Sequence, residues 1–317
     1  MNVSFILPVR NEKEYIADVL HSILHQKALN DYEIIFSDGS SDDGTLELIN
    51  VFLSDFPNLK LIHNPNKIVS SGFNLALNEA KGDIIIRVDG HCELPPNYVE
   101  KCIELLHKQD AYIVGGRIAT ISKGIVGKAI AKAQSSWFGV GGVKFRSTKY
   151  KRGGYVESLA FGVHRRELFA DIGGYDEQMI CNQDDEFNFR AIQAGKKIWM
   201  DPTIKIKYYS RSSFSNLFKQ YFNYGCFKVR GIQKRRQIIS IRHLIPSTFV
   251  VGLMGTLIPG FILQQPWFFS SVLTIYMIIN ILFSIIVTPS ISLIPFIFLS
   301  YWTLHLGYGL GFIWGFI

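Results

Sequence analysis

The sequence predicts an α/β protein, a mostly parallel sheet with helices on both faces, followed by a C-terminal transmembrane helical region. Three observations carry this. Strand-like and helix-like segments alternate with short connections over the first ninety residues. The last 74 residues, from Leu244, hold no Asp, Glu, Lys or Arg. An acidic and an imidazole side chain, Asp89 and His91, stand where a buried strand ends.

From the N-terminus, Val3–Leu7 reads as an apolar strand and Glu12–Gln26 as the helix after it. Glu33–Phe36 and Asp43–Phe52 form the second strand and helix, and Leu59–His63 and Ser70–Ala80 the third pair. Each helix opens on acidic or hydroxyl residues, which cap a first turn and suit its positive end. Ile84, Ile85, Ile86 and Val88 read as a fourth, buried strand, and Pro95-Pro96 prevents its continuation. A βαβαβαβ order with short links requires a parallel sheet covered on both sides. It contains no internal repeat or low-complexity segment.

Open α/β sheets bind ligands beyond the carboxyl ends of their strands. The segments placed there are Pro8-Val-Arg10-Asn-Glu12, Asp38-Gly-Ser-Ser-Asp42-Asp43 and Asp89-Gly90-His91. An Asp and a His around a flexible Gly can hold a divalent ion against a diphosphate. The same Asp-Gly pair is also ordinary turn chemistry. Turn and helix-cap roles account for Asp42 and Asp43, whereas Asp38 sits at the strand terminus facing the cleft. No G-x-G-x-x-G follows the first strand, which argues against a nicotinamide dinucleotide site.

Charge is distributed unevenly. Of the 317 residues, those up to Asp201 carry a net −3, so the formal +7 belongs to a short segment after it. This excludes a nucleic-acid binder with a basic face on its folded domain. Beyond that segment lie three apolar runs, Ser247–Leu263, Trp267–Val287 and Leu293–Ile317, separated by Gln264-Gln265-Pro266 and Thr288-Pro289-Ser290. A bilayer core needs about 20 apolar residues per helix, so the second and third runs qualify and the first is either a span or re-entrant. None has the polar face of a soluble amphipathic helix. Lys219, Lys228, Arg230, Lys234, Arg235, Arg236 and Arg242 precede the first run, and the positive-inside rule then places residues 1–243 in the cytoplasm of a multi-pass membrane protein. Met1–Pro8 is too short and uncharged for a signal peptide, and Cys92, Cys102, Cys181 and Cys226 lack paired spacing. The expected domains are 1–210, catalytic; 211–243, basic and amphipathic; and 244–317, membrane.

The motifs Pro-Val-Arg-Asn-Glu, Ser-Asp-Gly-Ser-Ser-Asp-Asp-Gly-Thr and Arg-Val-Asp-Gly-His, in this order, resemble a family 2 glycosyltransferase with the GT-A fold, a Rossmann-like mixed sheet. Phe161–Glu177 and Asn182–Arg190 extend the match, and Asp-Gly-His with a C-terminal membrane region resembles the succinoglycan-biosynthesis (ExoA-like) subgroup. The resemblance implies a nucleotide-sugar donor, a UDP-sugar first. It implies that Asp38 contacts the base, that Pro8, Arg10 and Glu12 line the nucleoside pocket, and that Lys67 lies near base or diphosphate. Asp89 would reach metal or ribose, with His91 in place of the usual second acidic ligand of Mn²⁺ or Mg²⁺. The family's general base maps onto Asp184, with Asp185 second; a helix N-terminus is the plain structural explanation of this acidic run.

Processive members carry Gln/Arg-x-x-Arg-Trp near the membrane. This chain has Gln220-Tyr-Phe-Asn-Tyr224-Gly-Cys-Phe-Lys228 instead, an acceptor-side or interfacial helix, which implies addition of one sugar. The expectation is an inverting, metal-dependent hexosyltransferase acting on a lipid-linked saccharide in cell-surface polysaccharide synthesis. A transferase to polyprenyl phosphate and a non-catalytic sugar-nucleotide-binding subunit are the alternatives.

Overall fold

The computed structural model describes residues 2–27, 31–210, 212–236, 241–262 and 264–317. Arg211 and residues 237–240 of the expected basic segment, and Leu263 at the end of the first apolar run, lie outside them.

Through the catalytic region the elements are β1 (Val3–Val9), α1 (Ile16–Leu24), β2 (Tyr32–Asp38), α2 (Thr45–Asp55), β3 (Leu59–His63), α3 (Val69–Glu79), β4 (Ile84–Arg87), β5 (Cys92–Glu93) and α4 (Tyr98–Lys108). They continue as β6 (Ile113–Ile121), α5 (Gly124–Gln134), α6 (Trp137–Val140), β7 (Gly154–Tyr155), β8 (Val163–Arg165), α7 (Arg166–Ile172), α8 (Gln183–Gln193) and β9 (Ile198–Tyr209). After these come α9 (Phe214–Arg235), α10 (Ile245–Ile262), α11 (Trp267–Ile286) and α12 (Ile294–Trp314). The seven elements expected up to β4 are all present, in order.

Among the described residues one mixed sheet runs β3-β2-β1-β4-β8-β6-β9-β5, with β7 added to β9. The β1, β2, β3 and β4 neighbours pair in parallel, and β8 reverses direction against β4. Every residue of β1 and β4 is buried, which is why these strands read as continuous apolar runs. The alternation Ile198, Met200, Ile204, Ile206 and Tyr208 inward on β9 marks a strand with one polar face.

The chain forms two compact units: 1–119 with 148–208, and 120–147 with 209–317. The first holds most of the sheet. In the second, Ala129, Ile130 and Ala133 of α5 share an apolar core with Leu217 and Tyr221 of α9 and with Ile297, Tyr301 and Leu304 of α12. Helices α9 and α12 meet backbone to backbone: a Cβ at Gly311 would collide with the Phe222 carbonyl, and one at Gly225 with the Tyr308 carbonyl. Small residues are what such an approach requires. Among the described residues three helices are long and apolar enough to cross a membrane, Ile241–Ile262, Trp267–Ile286 and Ile291–Trp314.

Candidate active site

The carboxyl ends of β1, β2 and β3 bring Arg10, Asp38 and Lys67 together. A Cβ on Gly39 would sit 3.3 Å from the Lys67 Cα and 3.4 Å from the Arg10 Cβ, so three loops converge where a side chain would be tightly held. Asp38 is buried, and Ser41 ties it: the backbone N–H donates to Oδ2 at 3.1 Å and the hydroxyl to Oδ1 at 2.5 Å. Asn11, Ser40 and Lys67 adopt φ of 57°, 59° and 59° in these loops, a left-handed conformation that costs non-glycine residues energy and clusters at functional sites.

Beyond β4 the geometry is set by one ion pair and one imidazole–carboxylate hydrogen bond. Arg87, 4% exposed, donates from Nε (3.1 Å) and Nη2 (2.8 Å) to Oδ1 of Asp89. Both bonds use one oxygen, and among the described residues Oδ2 accepts none. The Arg87 guanidinium lies between the rings of Phe161 and Tyr175, 5.7 and 5.5 Å from their centroids, and its Nη1 is buried without a hydrogen-bond partner. Burial works against its charge, but Asp89, Tyr175 and Asp184 hold its pKa above the ordinary arginine value. Two residues on, His91 Nδ1 donates to Glu12 Oε1 at 2.9 Å, and its ring meets Tyr208 edge-on at 4.9 Å. A carboxylate only accepts, so Nδ1 carries the hydrogen of this bond. Gly90 is needed here: its Cβ would lie 2.6 Å from Glu12 Cγ.

Asp184 and Asp185 occupy the first turn of α8, behind Asn182 at φ 59°. Burial, with the charges of Asp185 and Asp89, raises the Asp184 pKa above the ordinary aspartate value; Arg87 pulls the other way. The third carboxylate of the run, Glu186, is taken. Arg190 grips it through two bonds of 2.8 and 2.9 Å and also donates to the Gly174 carbonyl, closing the α7–α8 turn.

The Arg87 charge therefore acts on two carboxylates, Asp89, which it bonds, and Asp184, which feels it through space. Glu12, expected among the nucleoside-pocket residues, is bonded to His91. Gln220, Tyr224 and Lys228 lie on α9, where Gln220 donates to the Tyr224 hydroxyl at 3.0 Å and Lys228 is buried. The sequence reasoning did not single out Arg87, Phe161, Tyr175 or Tyr208. Phe161, a bulky residue at φ 58°, was discoverable only as an aromatic between two glycine-rich turns; Asn74 bonds both backbone groups of Tyr175 at 2.8 Å from α3.

The glycosyl transferase family 2 model matches residues 4–173. The chain belongs to glycosyltransferase family 2. The family match ends before Asp184. The chain is 31% identical over 260 residues to the succinoglycan biosynthesis protein ExoA of Rhizobium meliloti strain 1021, covering 80% of this chain and 77% of that one. It is 30% identical over 270 residues to a Methanococcus voltae dolichyl N-acetyl-α-D-glucosaminyl phosphate 3-β-D-2,3-diacetamido-2,3-dideoxy-β-D-glucuronosyltransferase, covering 82% and 83%. Among solved structures, S. aureus TarS residues 1–349 in complex with UDP superposes with a TM-score of 0.51 at 16% identity, covering 99% of this chain and 90% of that one. The chain spans 43% of the longer TarS structure, again at a TM-score of 0.51. These likenesses establish a GT-A fold.

The sheet of this family 2 glycosyltransferase also contains a pH-sensitive residue. His164 on β8 is buried between β4 and β6, with Nδ1 3.3 Å from the Ile85 carbonyl. Burial, reinforced by the charge of Arg87, lowers its pKa from 6.5 to about 4. As pH falls from 6.5 towards 4 the unfolded chain gains a proton that the folded one does not, so stability present above pH 6.5 is lost. Between pH 7 and 5 the loss is expected to be about 2 kcal/mol. Thermal melts of wild type and His164→Gln at both pH values test this; an equal fall in the two proteins would exclude His164 as the cause.

Proposed function

We propose that this chain is an inverting glycosyltransferase that moves one sugar from a UDP-sugar to a lipid-linked saccharide at the cytoplasmic face of the membrane. The arrangement of the half-buried carboxylates of Asp89 and Asp184 about the buried Arg87 carries the proposal. The acceptor hydroxyl attacks the anomeric carbon, the bond from that carbon to the diphosphate oxygen breaks, and UDP departs with the bonding electrons. Asp184 takes the hydroxyl proton, a role that its raised pKa suits because the proton is better retained. A single displacement inverts the anomeric configuration. Asp185 is the alternative base.

Arg10 and Lys67 supply cations beside Gly39 for the diphosphate or base, Pro8 lines the nucleoside pocket, and Asp38, preset by Ser41, meets the base. UDP in the TarS complex supports a uridine nucleotide donor here. Among the described residues no cluster of three or more His, Cys, Asp or Glu is placed to hold a metal ion. Two donors fit a Mn²⁺ or Mg²⁺ that completes its shell with substrate oxygens and water, the Asp89 carboxylate and the His91 imidazole. A carboxylate bonded to the far nitrogen is the usual support of a metal-ligating imidazole. When bound, the ion would offset charge on the departing diphosphate.

The acceptor follows from chemistry as well as kinship. A lipid phosphate already carries a nucleophilic oxygen and needs no base, whereas a saccharide hydroxyl needs the proton acceptor that Asp184 provides. The M. voltae relative is named for a lipid-linked sugar acceptor. The absence of Arg-Trp after Gln220 supports single addition. Purified protein challenged with a panel of sugar nucleotides, with and without Mn²⁺, is expected to release UDP from at least one UDP-sugar in a metal-stimulated reaction. UDP binding without turnover on any donor and acceptor would instead indicate a binding subunit.

A further inference from the structure

The compact unit formed by residues 120–147 and 209–317 contains thirteen Lys and Arg and not one Asp or Glu. Its cations lie on α5, on α9 and next to both, and these helices are the two that flank α12. The third candidate span differs from the others: 39% of its apolar stretch is buried, against 17% for each of α10 and α11. What α12 leaves exposed is one stripe, Pro295, Leu299, Leu310 and Trp314, at helical spacing along a single face.

Two of its other faces are covered by helices whose far sides carry cations, α9 and α5. Along the second half, Gly307, Gly311 and Gly315 rest on Phe218, Phe222 and Cys226 of α9. The opposite edge of α9 exposes Asn216, Lys219, Asn223, Arg230 and Lys234. Along the first half, α5 packs through Ala129, Ile130 and Ala133 and exposes Ile125 and Lys128. The link after α5 is pinned too: Tyr301 donates to Ser136 Oγ at 2.9 Å, and His305 Nε2 donates to the Phe138 carbonyl at 2.9 Å.

The remaining contacts join α12 to the two other candidate spans. Helices α10 and α11 are joined by a tight connection in which Gln265 N–H donates to the Gly260 carbonyl at 2.9 Å, and Phe249 stacks on Tyr276. They form a hairpin whose two ends would face the same side of a bilayer. The first turn of α10 meets α12 at Gly309, where a Cβ would lie 2.5 Å from the Pro246 carbonyl. The second half of α11 meets it between Phe298 and His305: Asn280 donates to the Phe298 carbonyl at 3.2 Å, and the Tyr276 hydroxyl bonds His305 Nδ1 at 3.0 Å.

We infer that α12 lies in the plane of the membrane, at the headgroup level of the anionic cytoplasmic leaflet, clasped between α5 and α9 and crossing beneath the feet of a two-span hairpin. Its apolar stripe faces the hydrocarbon, and the cations of α5 and α9 face the lipid phosphates. Residue 317 is then on the same side as α9.

An impermeant maleimide applied to intact cells tests this on the full chain with Gln233→Cys, Gln265→Cys or Ile317→Cys, the unsubstituted protein giving the background. Gln265→Cys is expected to react from outside, and the other two only after permeabilisation. Labelling of Ile317→Cys in intact cells, or protection of Gln265→Cys, overturns the inference. External labelling of Gln233→Cys would separately refute cytoplasmic donor access. Nitroxides at Leu299→Cys and Leu310→Cys, about 16 Å apart along a helix, are expected at equal depth by relaxation with oxygen and a nickel chelate. A depth difference approaching that length would restore a third span.

Discussion

Asp184→Asn is expected to lower kcat by roughly 10²–10⁴-fold while leaving UDP affinity within about two-fold, the range for loss of a positioned general base. The amide keeps the size of the side chain and still accepts the Asp185 N–H at Oδ1, so the first turn of α8 remains intact. In wild type, kcat requires the ionised carboxylate and therefore rises with pH through the Asp184 pKa, which burial places above the ordinary aspartate value. The acid limb of the profile should flatten in Asp184→Asn. A larger loss in Asp185→Asn, with Asp184→Asn nearly active, would move the base to Asp185. Full activity of Asp184→Asn would favour a lipid-phosphate acceptor, which brings its own negative oxygen.

Asp89→Asn is expected to reduce kcat/KM by about 10²–10³-fold, the usual cost of removing one electrostatic contact to developing charge. It should also abolish any stimulation of UDP binding by Mn²⁺, read by calorimetry. Asn is preferable to Ala because its Oδ1 still accepts from Arg87. Asp89→Ala would leave a buried guanidinium without its counter-charge, at a cost of several kcal/mol in stability. Loss of activity in Asp89→Ala alone, with Asp89→Asn active, would therefore assign Asp89 to holding Arg87 and not to substrate.

Much of this site was legible because it follows from where strands stop. Ile84–Ile86 could only be a buried strand, so the position of Asp89 at its end was fixed by local pattern. The same holds for Asp38 after Ile34–Phe36. Arg87 was not legible: a cation inside an apolar strand reads as a flaw, and only the fold supplies Phe161, Tyr175 and Asp89 around it. Glu12 and His91 are 79 residues apart, and no spacing rule joins them. Of three neighbouring carboxylates, sequence could not show that Glu186 is consumed by Arg190. Residues 120–147 read as ordinary soluble chain because α5 is short and carries lysines. Their grouping with the C-terminal helices depends on Ala129, Ile130 and Ala133 finding α12, more than 160 residues away. Local periodicity reports which face is apolar; it does not report what covers that face.

Product analysis tests the central claim most directly. Incubation of the purified protein with the UDP-sugar selected by the panel and a lipid-linked saccharide should yield, by mass spectrometry, an acceptor heavier by one sugar residue, with one UDP formed per sugar added. Recovery of unmodified acceptor with every donor that the protein binds would contradict it.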